Sequence, residues 1–278
     1  MIRPIYPCIW FNNNAKEAAT FYSSVFENTT IIADTPMVVK WSINGFNLMG
    51  LNGGPAFSIN PSVSFYVNCE TIEEVNQLWA KLIDGGTALM PLNEYPWSKR
   101  YGWLKDKFGV TWQIALVKNP GEKWSIKPSL LFTGPYFGKA EEAINCYSSV
   151  FETSSKDILV HYPENDAHSG KLMYAEFQLN GYKLIAMDGP GNHDFTFNEG
   201  VSFVVECETQ EEIDACWNKL LEGGKEQMCG WLKDRFGISW QIVPTVLGVL
   251  MQDPTKAPGV FKAFQQMKKM IIADLMNA

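Results

Sequence analysis

The sequence predicts an α+β chain of two tandem copies, each built from two β-α-β-β-β modules. Three observations carry that prediction. Residues 102–114 return as residues 230–242 with ten of thirteen positions identical, so the chain holds a duplicated unit, and a repeat constrains architecture before any local reading. Short β-type runs alternate with helical faces that open on Thr-x-x-Glu, at Thr71/Glu74 and Thr209/Glu212; this spacing is that of a capping box. Asn44-Gly45 and Asn180-Gly181 each separate two β-type runs, the dipeptide that a two-residue hairpin favours.

The elements follow in order. Ile5 to Phe11 is short, apolar and aromatic, bounded by Pro4 and Asn12-Asn13-Asn14, and reads as a strand. Asn14 is placed to cap a helix, with Glu17 as its capping-box partner. Ala15, Ala18, Ala19, Tyr22 and Phe26 then share one helical face. Strands are expected over residues 30–33, 38–43 and 46–50. The pattern restarts with a strand at 62–68 and a helix whose face is Val75, Leu78, Trp79 and Leu82, closed by Gly85-Gly86. A strand near 88–90, a loop and the 102–114 hairpin complete the first copy, residues 1–117.

A polar linker is expected over 118–127, with a Pro120-Gly121 turn. The second copy is expected over 128–245, followed by a tail over 246–278. The offset between copies is 125 at Tyr22/Tyr147, 136 at Asn44/Asn180, 138 at Thr71/Thr209 and 128 at Gly102/Gly230. Copy two therefore gains eleven residues around 161–171 and lacks ten that copy one carries at 92–101. Loops that differ between otherwise equal copies are where function tends to sit. In the tail, Val260, Phe261, Phe264, Met267, Ile271 and Leu275 recur at helical spacing, which predicts one amphipathic helix packed on its own protein or on a second subunit.

Composition bounds the partners. A net charge of −7 argues against nucleic acid or an anionic membrane as partner, because both are polyanions. The sequence has no run of eighteen apolar residues and no basic-then-apolar start, so a cytoplasmic protein is expected. Six cysteines lack any C-x-x-C spacing, which favours buried thiols over a zinc ribbon. Cys69 and Cys207 occupy equivalent positions in the two copies and read as buried strand-end residues.

Several stretches resemble a known family. They are residues 7–11, Glu17-Ala18 with residues 21–26, residues 51–55, 64–69, 95–98 and 102–114, and in copy two residues 187–195. Together they resemble the PhnB-like branch of the vicinal oxygen chelate superfamily, the branch labelled 3-demethylubiquinone-9 3-methyltransferase, in a tandem two-copy form. The resemblance implies tandem glyoxalase-like domains whose paired modules form curved mixed sheets, with a pocket in the concave face. Metal-using members of that superfamily hold an ion there with His and Glu. By the resemblance, their positions fall at or beside Pro7 and Pro128, near Ser62 and residues 200–202, near Met49 and Ile185, and on Gln113 and Gln241. That set is poor in metal donors, so no metal ligand and no cofactor is expected.

The candidate ligand-binding residues are Trp10, Tyr95, Trp97, Arg100, Tyr101, Gln113 and Gln241. The glutamines are expected to point into the concave face, either towards a ligand or onto a neighbouring polar group. Trp112 and Trp240 alternate with them and are expected in the core. Tyr95, Trp97, Arg100 and Tyr101 would form a lid suited to a flat or anionic small molecule. His193 beside Asp194 is a candidate general base oriented by a carboxylate. The expected function is binding of a small organic molecule without a metal, with the pocket mainly in the first copy. The chain would act as an intramolecular pseudo-dimer, with a homodimer as a further form. If modules pair across copies, one pocket could draw on both Gln113 and Gln241. The alternatives are a metal-dependent glyoxalase- or dioxygenase-type enzyme, a methyltransferase as the family label reads, or a partner protein without ligand.

Overall fold

The computed structural model describes residues 5–118 and 121–278. Four modules follow one another as expected. The first is β1 (Ile5–Phe11), α1 (Ala15–Val25), β2 (Thr29–Asp34), β3 (Val38–Ile43) and β4 (Phe46–Asn52). The second is β5 (Val63–Cys69), α2 (Ile72–Leu82), β6 (Thr87–Tyr95), β7 (Ser98–Lys105) and β8 (Thr111–Leu116). The third is β9 (Ser125–Phe132), α3 (Ala140–Val150), β10 (Ser154–His161), β11 (Leu172–Leu179) and β12 (Tyr182–Asp188). The fourth is β13 (Val201–Cys207), α4 (Gln210–Leu221), β14 (Lys225–Glu226), β15 (Trp231–Lys233) and β16 (Ser239–Pro244). β9 thus begins inside the stretch read as a linker, and Pro120 of the expected turn lies outside the described residues.

The modules pair across the copies. Modules four and one form one sheet, in the order β14-β15-β16-β13-β1-β4-β3-β2. Modules three and two form the other, in the order β10-β11-β12-β9-β5-β8-β7-β6. Each sheet is joined at its middle by an antiparallel pair of first strands. β1 meets β13 with Ile5 opposite Val205, and β5 meets β9 with Val63 opposite Leu130. Each copy nevertheless keeps its own apolar core. That of copy one gathers Phe11, Tyr22, Trp41, Phe65 and Trp112, and that of copy two gathers Phe132, Tyr147, Phe177, Phe203 and Trp240. The two modules of a copy lie in different sheets and share one core through their helices.

Both cores are pinned by a buried carboxylate. Asp106 Oδ1 accepts the backbone N–H of Phe108 at 2.8 Å and of Val110 at 3.0 Å. Its Oδ2 accepts the Tyr22 hydroxyl at 2.8 Å and the Trp112 indole N–H at 2.9 Å. Asp234 repeats this with Phe236, Ile238, Tyr147 and Trp240. One side chain closes the β7–β8 turn, where Gly109 takes φ +88°, and ties helix α1 to the neighbouring module. Burial pushes the Asp106 and Asp234 carboxyls above the usual Asp value, and the four donors pull back against it. Trp112 and Trp240 therefore sit in the core, as their alternation with the glutamines predicts.

Local signals mostly hold. Asn44 and Gly45 both take positive φ, as do Asn180 and Gly181, the geometry of a type I′ hairpin. Thr71/Glu74 and Thr209/Glu212 form complete capping boxes. Asn14 does not. Its side chain makes no capping bond, and Asn52 Oδ1 instead accepts the Ala15 N–H at 3.0 Å. The capping acceptor comes from the end of β4, 37 residues away, where a local Asn-x-x-Glu reading cannot see it.

The tail departs from the single helix expected. It forms α5 (Thr245–Gln252), α6 (Ala257–Phe264) and α7 (Ile272–Met276), with residues 265–271 between the last two outside helix. The reason lies at the sheet edge that copy two leaves short. The Cys229 N–H donates to Met267 O and the Gly230 N–H to Lys268 O, each at 2.7 Å. Gln210 holds the same segment, donating to Met270 O and accepting from the Ile272 N–H. The tail thus occupies the edge that copy one covers with its longer β6–β7 hairpin. Met270 and Leu275 are buried there. Deleting residues 265–278 is expected to cost roughly 3 kcal/mol or more from those two side chains, read as a lower melting temperature.

Candidate functional site: two helix-free faces

Each sheet packs its helices on one side and leaves the other face helix-free. Alternation along the strands fixes which side chains appear there. Leu104 and Ile114 point into the core of copy one, so Trp103 and Gln113 point the other way, as Cα partners across β7–β8. The helix-free face of the second sheet carries Ser64, Tyr66, Tyr101, Trp103, Gln113, Lys127, Ser129, Tyr174 and Glu176. The first sheet presents Tyr6, Cys8, Trp10, Lys40, Met49, Ser202, Glu206, Trp231 and Gln241.

The glutamines are hubs. Gln113 Oε1 accepts the Tyr101 hydroxyl at 2.7 Å, and its Nε2 donates to Ser64 Oγ at 2.7 Å and to Ser129 Oγ at 3.4 Å. Gln241 Nε2 donates to Ser202 Oγ at 2.9 Å, and the Cys8 thiol lies against both. Burial pushes that thiol up to about 12, so Cys8 is held as a neutral thiol at neutral pH. Gln113 belongs to the second sheet and Gln241 to the first. The modules pair across copies, yet no single face draws on both glutamines, because each closes a different composite sheet.

The two faces carry the same charge pair in inverted order. Lys40 on β3 and Glu176 on β11 are equivalent positions at the offset of 136. Lys40 meets Glu206 at 3.3 Å, and Tyr6 donates its hydroxyl to the same Glu206 oxygen at 2.5 Å. Glu176 meets Lys127 at 2.5 Å and accepts the Tyr174 hydroxyl at 2.5 Å. The Lys127 side chain is only 9% exposed, against 36% for Lys40. Both charge pairs are closed on themselves, and the Lys118 ammonium lies 5.7 Å from the Tyr174 ring centroid beside the second pair.

The aromatic insert is a hairpin rather than a loop, because β6 and β7 extend through it. Tyr95 and Trp97 stack at 5.0 Å, and both rings lie 5.6 Å from Tyr101. These three candidates therefore converge at the edge of the second face beside Gln113. Arg100 does not join them. Alternation turns it to the other side, where its Nε donates to Asn76 Oδ1 on α2 at 2.8 Å. The cation expected in the lid is engaged with a helix.

Trp10 lies on the first face, remote in the fold from Gln113. Its indole N–H donates to Gly54 O at 2.8 Å, and its ring meets Phe57 and Trp231 edge-on. Gly53 makes room for it, since a Cβ there would stand 2.1 Å from the ring. Gly53→Ala is expected to displace the Trp10 ring, read as a shift in intrinsic tryptophan emission that Trp10→Phe abolishes. His193 sits in the segment between β12 and β13. Its Nε2 lies 3.1 Å from Pro190 O and its ring packs on Phe195 at 5.0 Å. The bond to Asp194 that a general base would need is not the one the structure forms.

Sequence reasoning missed Trp103, Tyr66, Cys8, Lys127 and Glu176. Once the resemblance places Gln113, pairing across the β7–β8 hairpin puts Trp103 on the same face. The cross-copy joint that brings Lys127 to this face has no local signal.

The donors gathered about the two glutamines make a weak set for a divalent ion. The side chains gathered about Gln241 are Cys8, Met49 and Ser202, and those about Gln113 are Ser64, Tyr101, Ser129 and Ile185. A divalent ion needs three or four strong N, O or S donors converging; about Gln113 an amide with hydroxyls does not supply them, and about Gln241 the one strong donor is the Cys8 sulfur, which burial holds as a neutral thiol. No cluster of three His, Cys, Asp or Glu side chains suited to a metal occurs among the described residues. An open groove of about 570 Å³ lies elsewhere, lined by Lys16, Phe21, Lys107 and Phe108 among others, and takes no side chain from either face.

Comparison with known proteins agrees with this architecture. The model of the 3-demethylubiquinone-9 3-methyltransferase family matches residues 3–115 and again 124–243. The chain belongs to that family. Among solved structures, the PhnB protein from Bacillus cereus is 35% identical over 40% of this chain and 98% of its own, with a TM-score of 0.38. Glyoxalase I from Zea mays is 11% identical over 86% of this chain and 92% of its own, with a TM-score of 0.55. That likeness shows a shared glyoxalase-like fold in tandem form. A search of curated proteins gave no match. Among the described residues, no helix is long and apolar enough to cross a membrane.

Proposed function

We propose that the helix-free face of the second sheet binds a flat, neutral organic molecule carrying a hydrogen-bond acceptor, and that no metal ion takes part. One observation carries this reading. The Trp103 indole N–H is buried without a hydrogen-bond partner, on the same face as Gln113 and Tyr101. A buried donor left unpaired costs about 1–3 kcal/mol, and an acceptor on a ligand lying against the indole edge would recover it. Tyr66, Tyr101 and Trp103 supply aromatic surface for a flat ring. Neutrality follows from the closed Lys127–Glu176 pair and from Arg100 being turned to α2.

Module two supplies Trp103, Tyr101 and Gln113, which supports a pocket mainly in the first copy. Module three supplies the opposite wall through Lys127, Ser129 and Glu176. The weak donor sets around both glutamines favour the metal-free reading over glyoxalase- or dioxygenase-type chemistry. Methyl transfer, which the family description names, lacks support from a Gly-rich strand-to-helix loop. Gly85 and Gly223 follow helices at positive φ, where they serve as caps. A cytoplasmic setting is part of the same proposal.

The test is a thermal-shift screen of neutral aromatic ketones and lactones against untagged protein, followed by affinity measurement on Trp103→Phe. The expected result is a hit whose affinity falls about tenfold in the variant, the worth of one neutral hydrogen bond. Elemental analysis finding a stoichiometric divalent ion in the untagged protein would overturn the metal-free reading.

A further inference from the structure

We infer that the outer edge of the second sheet is a dimer interface, at which β10 pairs antiparallel with β10 of a second copy of this chain about a two-fold axis through Leu159. β10 ends its sheet, so one row of its backbone N–H and C=O groups faces outward. All eight of its residues are exposed. Three consecutive ones are branched and apolar, with Ile158 at 43%, Leu159 at 37% and Val160 at 39% exposure. A long apolar edge of this kind pairs with another strand unless something blunts it.

The other three sheet ends are blunted. β14 has two residues, and the tail backbone covers the edge beside it at Cys229 and Gly230. β6 meets β7 through three register shifts and carries Pro91. β2, the counterpart of β10 in copy one, bulges within its own apolar pair, at Ile32, and ends on Asp34, which Lys16 holds at 2.7 Å. The bulges of β10 instead flank Ile158, Leu159 and Val160 and leave them regular. The insert that sets copy two apart accounts for the difference. Residues 35–37 alone join β2 to β3, whereas the Tyr162 N–H donates to Lys171 O at 2.9 Å and carries the β10–β11 hairpin on past His161. The insert packs back on its own copy, with the His168 ring 5.4 Å from that of Phe137 and 5.8 Å from that of Tyr162. β10 is left eight residues long and exposed, against six residues in β2.

The strand is its own complement. With Leu159 on the axis, Ile158 faces Val160 of the second copy and Asp157 faces His161 of the second copy, so no like charges oppose one another. A second copy is therefore the occupant that this edge fits. Cross-strand partners share a face, and Ile158 and Val160 stand opposite Glu176 and Tyr174. They continue the helix-free face that carries the Lys127–Glu176 pair, while Leu159, opposite Ala175, continues the helix side. Pairing joins two eight-stranded sheets into one, and the helix-free face runs on across the axis. The interface stands whether or not that face takes a ligand. The apolar strip is short, so a dimer that dissociates on dilution is expected.

Sedimentation velocity on the full-length protein, over about a hundredfold range of micromolar concentrations, reads the assembly. The wild type is expected to show a monomer–dimer equilibrium. Leu159→Lys sets two ammonium groups against each other on the axis, and the dissociation constant should rise about tenfold or more. Ile32→Lys, on the exposed edge of β2, should leave it unchanged. Melting curves confirm that both variants fold. As a second readout, mild oxidation with copper phenanthroline should cross-link Leu159→Cys to a dimer that a thiol reductant separates, whereas wild type and Ile32→Cys stay single chains. A wild type that is monomeric throughout would overturn the inference. So would a dimer that Leu159→Lys leaves intact, or cross-linking of Ile32→Cys in place of Leu159→Cys.

Discussion

Asp106→Asn is expected to destabilise the protein by about 2–4 kcal/mol, and Asp234→Asn by a similar amount. The amide is nearly isosteric, so the loss comes from hydrogen bonding. Asp106 Oδ1 serves two backbone N–H groups and Oδ2 serves the Tyr22 hydroxyl and the Trp112 N–H. An Asn that keeps Oδ1 towards the backbone turns its NH₂ against two donors. The hydroxyl can rotate to accept, but the indole N–H cannot, and it is left buried and unpaired. Thermal melts of the two variants check this, with Tyr22→Phe as a milder control. Melting within a degree of wild type would remove the carboxylates from the account of stability. The pH dependence has a defined sign. Both carboxyls have folded pKa values above their unfolded ones. Their contribution is complete below the ordinary Asp value and is lost as pH rises through the folded value. Either Asn variant should flatten that part of the stability profile.

Glu176→Ala should cost about 3–5 kcal/mol, because it leaves the Lys127 ammonium without its counter-charge at 9% side-chain exposure. The Tyr174 hydroxyl loses its acceptor in the same step. The equivalent change on the other sheet, Glu206→Ala, exposes a milder defect. The Tyr6 hydroxyl loses its acceptor there too, but Lys40 is 36% exposed and water can replace the carboxylate, so a smaller loss of about 1–2 kcal/mol is expected. The double variant Lys127→Met/Glu176→Leu should regain most of the stability lost in Glu176→Ala, since it removes the buried charge itself. Chemical denaturation of the four proteins separates these outcomes. Equal losses for Glu176→Ala and Glu206→Ala would contradict the difference in burial between the two faces.

Much of the fold was legible because it is written twice. The 102–114 repeat, the Asn-Gly hairpins and the Thr-x-x-Glu boxes are local signals, and each forms as the residues imply. The cross-copy joint was not legible. β1 meets β13 and β5 meets β9 through long-range backbone pairing, and no spacing within a module encodes its partner. The same limit explains Asn14, whose expected capping role falls to Asn52, and the tail, whose helical spacing yields where backbone must cover the edge at Cys229 and Gly230. In the candidate site, the family resemblance placed Gln113 and Gln241 on the open faces, alternation then sent Trp112 and Trp240 to the core, and the aromatic insert was found from its absence in copy two. Arg100 was misjudged because the insert continues as a strand, and alternation then sends it to Asn76. The pairing of Lys127 with Glu176 depends on two strands of module three wrapped beside module two. Only the folded chain brings that pair to the face that holds Trp103.

The most direct test of the binding proposal is a calorimetric titration of the strongest neutral aromatic hit into untagged protein containing EDTA, alongside Trp103→Phe. The expected result is an affinity unchanged by the chelator and about tenfold weaker in the variant. Binding that EDTA abolishes and zinc restores, or an affinity identical in the variant, would contradict a metal-free site organised around the Trp103 indole.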